Sequence, residues 1–251
     1  MYDRIYLSPH LDDVALSCGG QIAAATRAGQ AVLIVTVTAG DPPSAVSAYA
    51  QGLHTRWELV ADATEARRAE DLAACALLGA DARHWTLPDC IYRSDPVTGK
   101  PFYTSDAELF GAVARAEWGL VDDLAEYLCE LPSHGQMVAP LGVGNHVDHQ
   151  LTRLAAERAF GRDRLLYYED YPYAEQPGAT AAVLRGPAAR WQPDVVALDE
   201  TVLAIKCDAV AAYRSQLSTF FRGRDHLDAR IRGFAAAVGG ERRWRSLSVV
   251  Q

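Results

Sequence analysis

Two short clusters hold the side chains that could do chemistry. They are Pro9-His10-Leu11-Asp12-Asp13 near the start and His146-Val147-Asp148-His149 far downstream. His10 and Asp13 stand three residues apart across a predicted strand-to-helix turn, so both can face one centre while Asp12 projects elsewhere. His146 and His149 share the same spacing, and on a helix they would lie on one face. Two imidazoles with one carboxylate leave coordination positions open on a metal ion, the arrangement of a catalytic rather than a structural site. Zinc and iron(II) both suit such donors, and donor type alone does not choose between them. The ion brings the pKa of a water towards neutrality, and a neighbouring carboxylate can then take the proton and return it to a leaving group. Asp12, beside a candidate ligand but spare, is placed for that role. Either motif alone could be a helix-capping device. Two of them, each after a predicted strand, point to a metal site.

The elements that must position these clusters follow from hydrophobic pattern. Residues 4–8 read as a strand ending at Pro9, and 14–28 as a helix stopped by Gly29. The β-branched run 31–38 has the pattern of a strand buried on both faces. Further helices are predicted over 57–78, 107–131, 147–160 and 200–214, and further strands over 84–87, 136–139, 165–169 and 195–198. Strands alternating with helices predict a single α/β domain over 1–251: a Rossmann-like, mostly parallel sheet with helices on both faces. Ligands in such sheets bind beyond the carboxyl ends of the strands. His10 follows the first strand and His146 the strand ending before Pro140, so the two clusters are expected on one rim.

Composition narrows the function classes. The 251 residues carry a formal net charge of −8 and no block rich in Lys or Arg, which argues against nucleic acid or an anionic membrane as partner. Apolar runs fall short of the roughly 20 residues that span a bilayer. The charged start, MYDRIYLSPHLDD, is unlike a secretory signal, so a cytoplasmic location is expected. The five cysteines are scattered and never in a CxxC pair, which suits reduced thiols used as small core residues. Homo-oligomerisation is left open.

The motifs resemble those of the PIG-L (LmbE-like) de-N-acetylases, which carry (A/P)HPDD after the first strand and HxDH far downstream. Supporting likenesses are Cys18-Gly19-Gly20, Val37-Thr38-Ala39-Gly40, the series Arg67, Glu70, Ala74, Leu78-Gly79, and Leu87-Pro88-Asp89. They cover residues 1 to about 160, and Ser215-Gln216 resembles a late SQ of many members. The resemblance implies hydrolysis of an N-acetyl group from an N-acetylglucosamine-type amino sugar or glycoconjugate. It implies His10, Asp13 and His149 as ligands of one divalent ion, zinc foremost with iron(II) as the other option, and Asp12 as general base. His146 would polarise the carbonyl or protonate the amine, and Asp148 would tune a histidine, as catalytic and metal-bound imidazoles usually require. Arg67 and Asp89 are the implied substrate-binding residues.

Three departures are visible. Leu11 replaces the usual Pro, Val14 an acidic residue, and Gly144 a Tyr that in some members precedes the first His of the second motif by two positions. Tyr167, Tyr168, Tyr171 and Tyr173 are candidates to stack on a sugar ring, with alternation placing some of them in the core. His54, His84, His134 and His226 lack companions at ligand spacing. Two other classes are set against the hydrolase: an iron(II) oxygenase, disfavoured by the βα alternation, and a metal-containing sugar-binding protein without turnover, which would need neither Asp12 nor His146.

Overall fold

The computed structural model describes residues 1–56, 63–185 and 190–247. Its first half runs β1 (Tyr2–Ser8), α1 (Asp13–Arg27), β2 (Val32–Thr36), α2 (Ala48–Arg56), α3 (Ala63–Leu78), β3 (Asp81–His84), α4 (Asp106–Leu109) and α5 (Gly119–Cys129). The second half runs β4 (His134–Pro140), α6 (Val147–Phe160), β5 (Leu165–Tyr168), α7 (Ala179–Leu184), β6 (Arg190–Val196), α8 (Glu200–Ala211), α9 (Arg214–Phe220), α10 (Arg224–Val238) and β7 (Glu241–Leu247).

All seven strands join one sheet in the order β3-β2-β1-β4-β5-β7-β6. Pairing is parallel from β3 through β5, and only β7 runs antiparallel to its neighbours. The expected mostly parallel α/β sheet is therefore what the chain forms. Alternate side chains feed two cores. Tyr6, Ile34, Val138 and Leu166 pack against α1, α3 and α8, while Leu7, Val35, Ala139 and Tyr167 pack towards α5 and α6. Every residue of β2 is buried, as its unbroken apolar run requires. The order reverses between β1 and β4, and their carboxyl ends open a crevice there. Both chemical motifs begin at those two ends.

Several boundaries differ from expectation. The strand placed at 84–87 is β3, which ends at His84. As the edge of the sheet it carries exposed polar residues, which hide it from a hydrophobic reading. The single helix expected over 107–131 divides into α4 and α5 around an irregular stretch containing Gly111. The strand expected at 195–198 is β6, which ends at Val196 and contains Pro193, a residue a sheet edge tolerates. A short helix, α2, also forms between β2 and α3, where no element is predicted. The start of the helix predicted at 57 falls on residues 57–62, outside the described residues. Cys18, Cys75, Cys90 and Cys207 are buried as expected, whereas Cys129 is exposed.

The last strand also secures the first helix. Glu241, at the start of β7, accepts the backbone N–H of Gly20 at 2.9 Å and of Gln21 at 2.8 Å. It also receives Lys206 Nζ of α8 at 2.7 Å. The approach is so close that a Cβ on Gly20 would lie 2.5 Å from Leu198 and 2.9 Å from Glu241, which explains the paired glycines. Glu241→Ala would leave Lys206 as a buried, unpartnered cation. It is expected to lower unfolding free energy by about 3–5 kcal/mol, read as a shift in urea midpoint at constant slope.

Candidate active site

β1 delivers His10, Asp12 and Asp13 to the rim, and a glycine-rich turn after β4 delivers His146, Asp148 and His149. The ring centroids of His10 and His149 lie 5.4 Å apart, and those of His10 and His146 4.7 Å apart. Two motifs remote in sequence thus meet at one point. His10, His146 and His149 each offer a nitrogen within 4.8 Å of the others.

Carboxylates fix each imidazole. His10 Nδ1 lies 3.0 Å from Asp13 Oδ2, and its Nε2 lies 3.1 Å from Asp148 Oδ2. His149 Nδ1 lies 2.6 Å from Asp170 Oδ1. A carboxylate can only accept, so Nδ1 of His149 carries a proton towards Asp170, and Nε2 is the nitrogen that offers a lone pair when the ring is neutral. That buried Nε2 sits 3.2 Å from Asp13 Oδ2 without a hydrogen bond among the described residues. His146 caps α6, its Nδ1 accepting the Asp148 N–H at 3.2 Å. The capping reading of HxDH is thus also satisfied, and the neutral ring keeps its proton on Nε2.

Below the imidazoles lies a second charged layer. Asp148 accepts the Cys90 N–H at 3.0 Å and pairs with buried Arg93 at 2.6 Å, and Arg93 pairs in turn with Glu117. Asp170 accepts the Val143 N–H at 2.7 Å. Arg93, Glu117 and Asp170 were not singled out from sequence. Asp170 carried one usable signal, an acid just past the carboxyl end of the strand beside the second motif. Arg93 lies in loop-rich sequence and Glu117 within the stretch predicted as one helix, and neither carries such a signal.

The electrostatics favour positive charge between the motifs. Burial opposes the His10 cation, yet hydrogen bonds to Asp13 and Asp148 hold its pKa well above the usual imidazole range. Burial likewise opposes the His149 cation, but Asp13 and Asp170 push it up to about 9. Asp13 moves the other way: burial works against its charge, while His149 and His10 hold it well below the carboxylate range. Burial, followed by the nearby His10 charge, keeps His146 well below the imidazole range. Asp12 differs from its neighbour. Burial and the charge of Asp13, against Arg67 and His10, push it up to about 7. It occupies the position before α1 with φ 128° and makes no side-chain capping bond. The capping explanation of its carboxylate therefore fails.

A cleft of about 270 Å³ opens above this cluster. His10, Asp12, Asp13 and His146 form its floor, and Tyr49, Phe110, Tyr173 and Phe220 are among its walls. Arg67 lines the cleft and donates to the Leu11 carbonyl at 3.3 Å. Arg68 turns away to Ala39 and Asp41. Asp89 lines the cleft too, while its Oδ1 accepts the Ile91 N–H at 3.2 Å. Asp148 and His149 lie beneath the cleft, each almost fully buried. Of the four tyrosines considered for stacking, Tyr167, Tyr168 and Tyr171 are core residues, and Tyr173 reaches the cleft. Tyr173 also fills the space over Gly144, where an added Cβ would lie 2.6 Å from its ring and φ is +91°. His84 is paired with Asp71, and His54, hydrogen-bonded to Tyr92, lies near Asp89 and Arg67 rather than in the cluster of His10, His146 and His149.

The model of the PIG-L family, described as GlcNAc-PI de-N-acetylase, matches residues 5–160. The chain belongs to that family. A 2'-N-acetylparomamine deacetylase of Streptomyces fradiae is 34% identical over 70% of this chain, and the alignment spans 59% of that relative. One of the same name from Niallia circulans is 29% identical over 68% of each chain. The structure of the zinc-inhibited form of teicoplanin deacetylase Orf2 matches 99% of this chain and 99% of its own at 29% identity, with a TM-score of 0.85. These comparisons agree with the resemblance read from the motifs, and the fold extends it across the C-terminal third.

The raised His149 pKa gives a test of the geometry in the metal-free protein. A folded pKa of about 9, above the ordinary imidazole 6.5, contributes stability that is present below pH 6.5 and lost as pH rises through about 9. Imidazole NMR titration should place His149 near 9, and Asp170→Asn should move it towards the ordinary value. An unchanged midpoint in that variant would contradict the assigned pairing.

Proposed function

We propose that this protein is a metal-dependent N-deacetylase that hydrolyses the acetamido group of an N-acetylglucosamine-type amino sugar. The observation carrying the proposal is the meeting of His10, Asp13 and His149 on one point, with the carboxylate of Asp12 spare beside them. His10 Nδ1 and His149 Nε2 lie 3.0 and 3.2 Å from Asp13 Oδ2. Two donors about 2.0–2.1 Å from one tetrahedral ion stand about 3.3 Å apart, so these spacings suit a shared divalent ion. The buried Nε2 of His149, which gives up its proton when an ion binds, and the cation-favouring field support the same reading. His146 fits less well as a ligand, since its Nδ1 already serves the helix cap. Asp148 and Asp170 supply the carboxylate partners that metal-bound imidazoles normally have.

A divalent ion held there would polarise the amide carbonyl and acidify the attacking water. Asp12, buried and near neutrality in pKa, takes the proton of that water. His146, on the cleft floor with its Nε2 4.0 Å from Cys90 Sγ, would donate that Nε2–H to the oxygen that becomes negative in the tetrahedral intermediate. Asp12 then returns its proton to the departing nitrogen, giving acetate and a free amine. Arg67 and Asp89, with the aromatic walls, bind the sugar. The named substrates of the relatives, N-acetylparomamine and teicoplanin among them, support an amino-sugar acceptor.

Asp12→Ala is expected to retain one metal equivalent while acetate release falls about 10²- to 10⁴-fold. Metal analysis and a free-amine assay together read this, and unchanged turnover would sink the mechanism. In the wild type, the ascending limb of kcat/KM should lie below pH 7, because a nearby dication lowers the Asp12 pKa from about 7. Chelation should abolish acetate release. Zinc or iron(II) is then added back, each at one equivalent and in excess, because a relative is described in a zinc-inhibited form. Full activity in thoroughly metal-free protein would refute the metal requirement.

A further inference from the structure

The late Ser215-Gln216 pair has no part in the chemistry above, yet the fold places it at the cleft beside two acids, half-buried Glu70 and buried Asp71. Glu70 of α3 accepts the Ser215 N–H at 3.0 Å and the Ser215 hydroxyl at 2.6 Å. Its neighbour Asp71 accepts the Tyr213 hydroxyl at 2.6 Å. Three hydrogen bonds from consecutive residues of one helix thus fix the start of α9. The helix this short segment forms brings Gln216, Thr219 and Phe220 into the cleft wall, across from His10 and His146. Gln216 is 5% exposed, and it lines both the cleft and a water-sized cavity beside Asp12 and Tyr213. Its Nε2 donates to Ser215 Oγ at 3.3 Å. Among the described residues, no hydrogen bond reaches its amide oxygen, although that oxygen is not sealed from the cleft.

We infer that Gln216 is a substrate-positioning residue, which accepts a hydrogen bond from a sugar hydroxyl next to the scissile acetamide, and that Glu70 sets its position through Ser215. A nearly buried primary amide with an open acceptor needs a donor from outside the protein, and a free 2-amino sugar carries hydroxyls on the ring carbons either side of the one bearing nitrogen. The charge of Glu70 suits its task, because an ionised carboxylate makes the stronger bond to a backbone N–H and a hydroxyl. This inference deepens the deacetylase reading and rests on it.

The test uses N-acetylglucosamine and its deoxy analogues lacking one hydroxyl beside the acetamide, with metal-loaded wild type, Gln216→Leu, Glu70→Ala and the double variant. Gln216→Leu should lower kcat/KM on the intact sugar about tenfold, leaving metal content and the ascending pH limb unchanged. On one deoxy analogue the wild type and Gln216→Leu should become equal. Glu70→Ala should reproduce the loss, and adding it to Gln216→Leu should cost little more, since both remove one interaction. Equal losses on every analogue, or additive losses in the double variant, would overturn the inference. Calorimetric binding of glucosamine, the amine product, supplies a readout apart from turnover: Gln216→Leu should weaken it about tenfold. A wild type that binds these sugars with the expected Gln216 dependence but releases no acetate would strike at the deacetylase reading alone. A wild type that releases acetate, with Gln216→Leu unaltered in binding and kcat/KM, would strike at this inference alone.

Discussion

One oxygen organises the molecule's chemistry: Oδ2 of Asp13, close to a nitrogen of His10 and a nitrogen of His149. It also accepts the His10 backbone N–H at 2.8 Å, so the turn leaving β1 is wound around it. For that contact to form, the end of β1 and the start of α6 must come within a few ångströms. The adjacency of β1 and β4 at the reversal of strand order is what allows it. The sheet, in this sense, is scaffolding for a junction between two turns.

Such a junction concentrates ionisable groups in a small buried volume, and the second layer keeps them in register. Asp148 and Asp170 each combine a backbone N–H with an imidazole, so ring orientation is tied to main chain rather than to mobile side chains. Arg93 offsets the charge of Asp148 and is itself held by Glu117. A carboxylate so satisfied stays ionised, whereas Asp12, with no comparable set of bonds, is left near neutrality. The adjacent Asp12 and Asp13 differ in acid strength because Asp13 faces the charges and hydrogen bonds of His149 and His10, whereas burial and the charge of Asp13 act on Asp12.

The parts of this arrangement that could be read beforehand were those written in local pattern. Alternating β and α segments indicated the sheet, and the unbroken β-branched run of β2 marked a central strand. The spacing of His10, Asp13, His146 and His149 announced a common centre. The parts that escaped depend on tertiary neighbours. β3 evades a hydrophobic reading because an edge strand need not be apolar, and α4 and α5 read as one helix because short helices and the turn between them share one composition. β7 went unread because its identity as a strand comes from insertion between β5 and β6, with alternating charged residues such as Arg243 and Arg245 on its faces. Arg93 and Glu117 take their meaning from being buried opposite Asp148, which no local spacing announces.

Asp12 holds a backbone conformation, φ 128°, that residues with a side chain rarely adopt. Holding a non-glycine residue there costs about 1–3 kcal/mol, and glycine would enter the same turn without that cost. On the proposed role of Asp12 as general base, folding and activity make opposite demands at this one position. A lineage released from selection for turnover would gain robustness by drifting to glycine there, so an aspartate at this turn in a descendant marks continuing use of the carboxylate.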